Sequence, residues 1–321
     1  MKVDGPKIAT LTGLAVGDAL GMPFEMEPAN SKLLLGWDGW FKDGETNPFT
    51  KGLKPGQWTD DTKMAKALTE SLVENGTYCP GDAAKRYLAW YDSNDLRGIG
   101  TTTAKALSRL QTGLPWTQSG VSGSEGNGTA MRAAPIGVAF WRNIQAAAEM
   151  ARIDAAITHK SEMAEQGSVA IAVGVALLIE GRHAKEDFLL KVLEWIPKGT
   201  MYSRILTAHH KSKLGAHRKD KNDRSFIEVL AQLGAGGHVI QTVPAAFCAF
   251  VGSTSYQDAV ELAIRCGGDT DTTAAITGAL AGTHYGIEQV ARYADTVEAG
   301  EELRKLEVAL LAAVPPVGRK A

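Results

Sequence analysis

The chain has 321 residues, 44% of them hydrophobic and 22% charged, with a formal net charge of −2. This is ordinary globular composition, long enough for one large domain or two smaller ones, and its near-neutral balance points to neither nucleic acid nor an anionic membrane. Three cysteines, Cys79, Cys248 and Cys266, are odd in number and far apart, which argues against a disulfide framework or zinc site and suits a reducing cytoplasm.

In chain order, MKVDGPKIATLTGL has no signal-peptide pattern, because Asp4 and Gly5 interrupt it. GLAVGDALGMPF reads as an apolar helix with Asp18 near its C-terminus. There an acid opposes the helix dipole, so it needs a partner. Glu25 follows on a loop. Its plain reading is solvated surface; over an acidic site it becomes a candidate general base. Residues 36–58 are glycine-rich with Trp37, Trp40 and Trp58, a long loop suited to a lid or substrate wall.

Thr59-Asp60-Asp61 precedes a helix with Met64, Leu68 and Leu72 at every fourth position. Taken alone, this is an N-cap with acids in the first turn. Ala104, Leu107 and Leu110 mark another helix. Residues 112–128 form a second glycine-rich loop, ending in Gly126-Asn127-Gly128-Thr129. That turn is expected to open a helix through Met131, Ala134 and Ile136, with its N–H groups facing an anion, although Asn-Gly is also a common plain turn. His159, in ITHKSE, comes just before a further helix and reads first as a structural hydrogen-bond donor.

The stretch Gln166–Ile179 is free of charge but too short to span a bilayer, and Val229–Gln257 is broken by Gln232, His238, Gln241 and Pro244. Both read as buried core helices. Residues 204–224 carry Arg204, Lys211, Lys213, Arg218, Lys219, Lys221 and Arg224. The plain reading is a solvated insertion, the sharper one a contact for an acidic partner. Asp269-Thr270-Asp271-Thr272 follows Gly267-Gly268 and leads into a helix crowded with Ala274, Ala275, Gly278, Ala279, Ala281 and Gly282. Such small residues favour close helix approach. Leu303, Leu306 and Leu310 mark the last helix. Sustained period-2 alternation is missing, so no strand is predicted.

The two acidic clusters resemble each other. Brought together, their four carboxylates and two hydroxyls make an all-oxygen site of the kind hard divalent cations choose. Without cations, packed carboxylates would raise each other's pKa.

The segments GLAVGDALGMPFE, QWTDDTKMA, GNGTAMRAAPIG, ITHKSEMA and CGGDTDTTAAITGALAG, in this order, resemble the ADP-ribosylglycohydrolase family, whose bacterial type member is the dinitrogenase reductase-activating glycohydrolase. The resemblance implies a single compact all-α, multi-helix domain over residues 1–321 with a central dinuclear site for two Mg²⁺ or Mn²⁺ ions. It implies hydrolysis of the glycosidic bond between ADP-ribose and an acceptor, an arginine side chain first, a serine-linked or O-acetyl conjugate as the alternative. A non-catalytic relative that binds ADP-ribose or serves structurally is a third reading. Carried over, Thr59, Asp60, Asp61, Asp269, Asp271 and Thr272 are metal ligands. Glu25, with Asp60 and Asp269, carries catalysis. Ser124, Gly126, Asn127, Gly128 and His159 bind substrate, although Glu125 would stand beside an anionic diphosphate. The expected partner is an ADP-ribosylated protein or small ADP-ribose conjugate, met by a monomer with no membrane or nucleic-acid contact.

Overall fold

A computed structural model describes residues 7–29, 31–218, 223–234 and 236–313, with the backbone alone at 216 and 217. Helices of ten or more residues are α1 Thr10–Gly21, α2 Asp60–Asn75, α3 Pro80–Asp92, α4 Thr101–Gln111, α5 Ile144–Thr158, α6 Glu162–Glu180, α7 Thr200–Ser212, α8 Val239–Val251, α9 Tyr256–Arg265, α10 Thr270–Tyr285 and α11 Gly300–Ala313. They pack around one apolar core into a mostly helical domain. Of the periodic residues, Met64, Leu68, Leu72, Leu107, Leu303 and Leu310 are buried, while Ala104, Leu110 and Leu306 are half-buried.

Helices α1 and α10 run antiparallel at the centre. Gly13 faces Gly278, Gly17 faces Ala274, and Gly21 faces Thr270, each so closely that an added Cβ would strike the opposing backbone carbonyl. A glycine inside a helix costs about 1 kcal/mol against alanine. Here close packing and cross-helix hydrogen bonds offset it. Thr270 Oγ1 donates to Gly21 O (2.8 Å) and Tyr256 Oη to Gly13 O (2.8 Å). The antiparallel direction has a functional consequence: it places Asp18, in the last turn of α1, beside the acidic start of α10. At the other end of α1, the buried carboxylate of Glu307 accepts from Leu11 N (3.0 Å). Burial pushes its pKa up to about 7, against the lowering effect of the N–H groups it accepts from.

Several expectations are corrected. Two two-residue strands exist, β1 Val121–Ser122 and β2 His159–Lys160, paired in parallel with Val121 opposite His159. Elements this short have no alternation to detect. Gly126-Asn127-Gly128 does not open a continuous helix. A 3-10 turn, Asn127–Thr129, comes first, and a separate six-residue helix begins at Ala134. The charge-free stretch lies in α6, which at 19 residues is long and apolar enough to cross a membrane, but 72% of its apolar window is buried inside the protein. The Val229–Gln257 run divides among a short helix ending at Ala231, α8 and the start of α9.

Part of the basic segment is structural. Pro244 lacks the N–H that would bond Ile240 O, and Arg204 Nε donates to that carbonyl instead (2.9 Å). Arg218 pairs with Asp258 on nearly buried side chains, 7% and 11% exposed. Lys211 Nζ donates to Gln232 Oε1 (2.8 Å). Lys213 and Arg224 are exposed; Lys219 and Lys221 lie outside the described residues.

The 36–58 loop is anchored rather than poised as a lid. Trp37 and Trp58 are buried, and Trp40 stacks on Tyr293 at 5.2 Å. Trp58 Nε1 donates to Glu298 O (2.7 Å), Thr50 Oγ1 to Met22 O (3.2 Å), and Asn47 Nδ2 to Glu25 O (2.8 Å). The loop therefore braces the segment that carries Glu25.

Gly17→Val tests the central packing. It forces a branched side chain into the Ala274 carbonyl, and overpacking of this kind costs about 1–3 kcal/mol. Urea denaturation should show a lower midpoint. An unchanged midpoint would contradict the close approach of α1 and α10.

Candidate active site

Helix α2 has an unusual start. Thr59 occupies the cap position, but its side chain caps no backbone N–H of its own helix. Asp18, from α1, does that work. Its carboxylate accepts from Thr59 N at 3.0 Å on each oxygen, from Thr59 Oγ1 (2.8 Å), from Thr62 N (3.1 Å) and from Thr62 Oγ1 (2.6 Å). Asp18 is fully buried, and burial raises its pKa although each of these bonds lowers it. It thus acts as a cross-helix cap, the partner its position demanded, and it fixes where Asp60 and Asp61 begin.

Helix α10 starts conventionally. Asp269 is its cap and accepts from Thr272 N (3.3 Å), while Asp271 Oδ1 accepts from the same N–H at 2.8 Å. Gly267 and Gly268 have φ of +73° and +74°, the left-handed region that favours glycine. They let the chain bridge to Glu27: Gly268 N donates to Glu27 O (2.8 Å) and Met26 N donates to Gly268 O (2.6 Å). A Cβ at Gly267 would lie 2.5 Å from Glu27 O. This clip holds the Glu25 loop against the second acidic cluster.

The two clusters meet. Thr272 Oγ1 lies 3.5 Å from Asp61 Oδ2, across 211 positions of sequence. Asp60, Asp61, Asp269, Asp271, Thr59 and Thr272 are all less than a tenth exposed. Burial, then the charges of Asp18 and Asp269, raise Asp60 well above the usual carboxylate range. Burial, with Asp18 and Asp60 beside it, does the same for Asp61. Asp271 is raised by burial and then by Glu25. Glu25 is pushed up to about 7, by burial first, then by Asp269 and Asp18.

This arrangement opens on a cavity of about 250 Å³. Glu25, Asp60, Asp269, Asp271 and Thr272 line it, as do Gly126, Asn127, Gly128 and His159. Thr59 and Asp61 are buried and do not line it. Ser124 does not line it; its hydroxyl pairs with Thr102 Oγ1 at 2.7 Å. Asn127 steadies the second cluster, since its Nδ2 donates to Asp269 Oδ2 (2.8 Å) and to Thr242 Oγ1 (3.0 Å). The flanking glycines make room for an imidazole. A Cβ at Gly126 would lie 3.1 Å from His159 Nε2, and one at Gly128 would lie 3.0 Å from His159 Cε1. Glu125 is held by His238, Oε2 to Nε2 2.9 Å.

One wall escaped sequence reasoning. Gly98, Gly100 and Thr101–Thr103, at the N-terminus of α4, also line the cavity. Gly98 has φ of +79°, and a Cβ there would lie 2.5 Å from Asp60 Oδ1. The RGIGTTT stretch held the signal, glycines feeding a helix start.

The oxygen donors suit a hard cation, and Asp61 Oδ1 is buried with no hydrogen-bond partner. As the side chains stand, no three His, Cys, Asp or Glu residues among the described residues converge into a group that could hold a metal ion. The oxygens present are instead a mixed set of carboxylates and hydroxyls from two helix starts.

A mostly helical domain with two oxygen-rich helix starts facing one cleft defines the class of protein. The chain belongs to the ADP-ribosylglycohydrolase family, whose profile matches residues 7–319. It is 30% identical over 312 residues to ADP-ribosylhydrolase ARH3 of Bos taurus, covering 87% of this chain and 85% of the relative. It is 27% identical to ADP-ribosylarginine hydrolase Tri1 of Pseudomonas putida, covering 96% and 78%. A solved structure described as an ADP-ribosylglycohydrolase-related protein complex matches with a TM-score of 0.74 at 29% identity, over 95% of this chain and 96% of that one. These relatives mark the chain as an enzyme, an ADP-ribosyl hydrolase.

Asp18→Asn tests the cross-helix cap. The amide would turn a donor toward N–H and O–H groups that already donate, at a cost of about 1–3 kcal/mol. Thermal denaturation should show a clear loss of stability. Wild-type stability would mean that Asp18 does not hold the start of α2.

Proposed function

We propose that the protein hydrolyses the glycosidic bond joining ADP-ribose to an arginine side chain, with two divalent cations, Mg²⁺ or Mn²⁺, held by Thr59, Asp60, Asp61, Asp269, Asp271 and Thr272. The observation that carries this reading is the meeting of Asp61 and Thr272 across the fold, beside a cavity shared with Glu25 and His159. When bound, the cations neutralise the crowded acids and act as Lewis acids toward the sugar oxygens.

The chain's own groups do the rest. Asp18 and Asn127 hold the two acidic helix starts in place. Glu25 lines the cavity beside the acidic helix starts and is the carboxylate placed to take or give a proton. The start of α4, an 11-residue helix whose cap position is Gly100, lines the cavity, and the free N–H groups of such a helix start suit the diphosphate. Thr103 lines the same wall, only 2% exposed. The Gly126-Asn127-Gly128 turn lines the same cavity and is a second candidate contact for the diphosphate. Arginine leads because a relative over 96% of this chain is named an ADP-ribosylarginine hydrolase. A serine-linked or O-acetyl conjugate presents the same ADP-ribose half.

Arginine-, serine- and cysteine-linked ADP-ribosyl peptides and O-acetyl-ADP-ribose, each assayed with Mg²⁺ and with Mn²⁺, test the reading. Turnover should be greatest on the arginine conjugate and lost with EDTA. Glu25→Gln should lower turnover by about 10²-fold or more with the fold intact. Full activity in EDTA would remove the metals from the account, and preference for another linkage would replace arginine.

A further inference from the structure

Arg132 is fully buried and follows the glycine turn by four residues. Its guanidinium ties the glycine turn to helix α5. Nε donates to Asp154 Oδ2 (2.7 Å) and Nη2 to Asp154 O (2.9 Å). Nη1 donates both to Gly128 O (2.8 Å) and to Thr158 Oγ1 (2.9 Å). Tyr87 Oη and Tyr78 Oη complete the network by donating to Asp154 Oδ1, at 2.9 and 3.2 Å. Breaking one member of such a buried charged network is costly, so its geometry is firmly held.

The network ends at His159. Thr158 Oγ1 lies 2.8 Å from His159 Nδ1. Thr158 is fully buried and already accepts from Arg132. Its own proton needs an acceptor, and His159 Nδ1 is the one beside it. If Nδ1 carried the proton instead, Thr158 would receive two donors and its O–H would be left buried without a partner. An unpaired buried donor costs about 1–3 kcal/mol. The arrangement that satisfies every group leaves Nδ1 bare and puts the ring proton on Nε2. The other edge of the ring lies against Gly126 and Gly128, and His159 lines the cavity.

We propose that Arg132 and Thr158 are positioning residues that lock His159 in the neutral tautomer protonated on Nε2, so that it offers a hydrogen-bond donor to an oxygen of the ligand. His159 is then a fixed donor and takes no part as a proton acceptor. Burial, with the nearby Arg132 charge, pulls its pKa down to about 3, in keeping with a ring that stays neutral. Arg132 also holds Gly128 O, so the donor and the glycine turn share one anchor. The ligand half of this proposal rests on reading the cavity as an ADP-ribose site; the tautomer half does not.

The test is ¹⁵N NMR of the full chain labelled at histidine, with the His159 signals assigned by their loss in His159→Gln. In the wild type, Nε2 should carry the proton and Nδ1 should be bare, unchanged from about pH 6 to 8. A proton on Nδ1, or averaging between the two nitrogens, overturns the proposal. Thr158→Val should release the tautomer and Thr158→Ser restore it; an unchanged tautomer in Thr158→Val overturns the role of Thr158. ADP-ribose should shift the Nε2 signal and bind Thr158→Val about tenfold more weakly, the scale of one hydrogen bond to a charged group. A locked tautomer that ADP-ribose does not perturb overturns the ligand half alone. Ribose 5-phosphate reproducing the shift, where ribose does not, assigns the acceptor to a phosphate oxygen; both reproducing it assigns a sugar oxygen.

Discussion

The buried carboxylate of Asp18 sets the position of everything else in the site. It lies on α1, but its hydrogen bonds go to the first turn of α2, to Thr59 and Thr62. Through it, the placement of α1 fixes the placement of Asp60 and Asp61. Helix α1 is itself fixed by α10, along a seam where glycines allow backbone to meet backbone. So the two acidic clusters, distant in sequence, are tied into one frame by a carboxylate and a glycine seam.

That frame creates an electrostatic load. Asp18, Asp60, Asp61 and Asp271 are all raised by burial, and Glu25 rises to about 7, through burial first and then Asp269 and Asp18. Burying charge without compensation is among the costliest things a fold can do. Some compensation is visible: Asn127 donates to Asp269, and the threonines donate to Asp18. Asp61 Oδ1 has none. A protein that keeps such a cluster has reason to hold cations there, and this physical pressure underlies the proposed metal chemistry.

Much of this was legible in the sequence. Helical periodicity located α2, α4 and α11, and the small residues after Asp269 marked a central helix. Asp18 announced itself as an acid at the wrong end of an apolar helix, in need of a partner. What the sequence hid were long-range relations. Nothing in the spacing says that Asp18 caps another helix, that Arg204 serves the carbonyl freed by Pro244, or that Asn127 steadies Asp269. The glycines of Gly126-Asn127-Gly128 suggested a helix opening onto an anion; in the fold they admit the His159 ring. The wall made by Gly98, Gly100 and Thr103 was overlooked because its glycines and threonines resemble any helix start.

The central claim is that the two acidic helix starts form one cation site. Anomalous diffraction from crystals soaked in Mn²⁺ tests it most directly. Two peaks are expected between Thr59-Asp60-Asp61 and Asp269-Asp271-Thr272, both lost in Asp269→Asn crystals or weakened there to one. Peaks elsewhere, or none at these residues under saturating Mn²⁺, would contradict it.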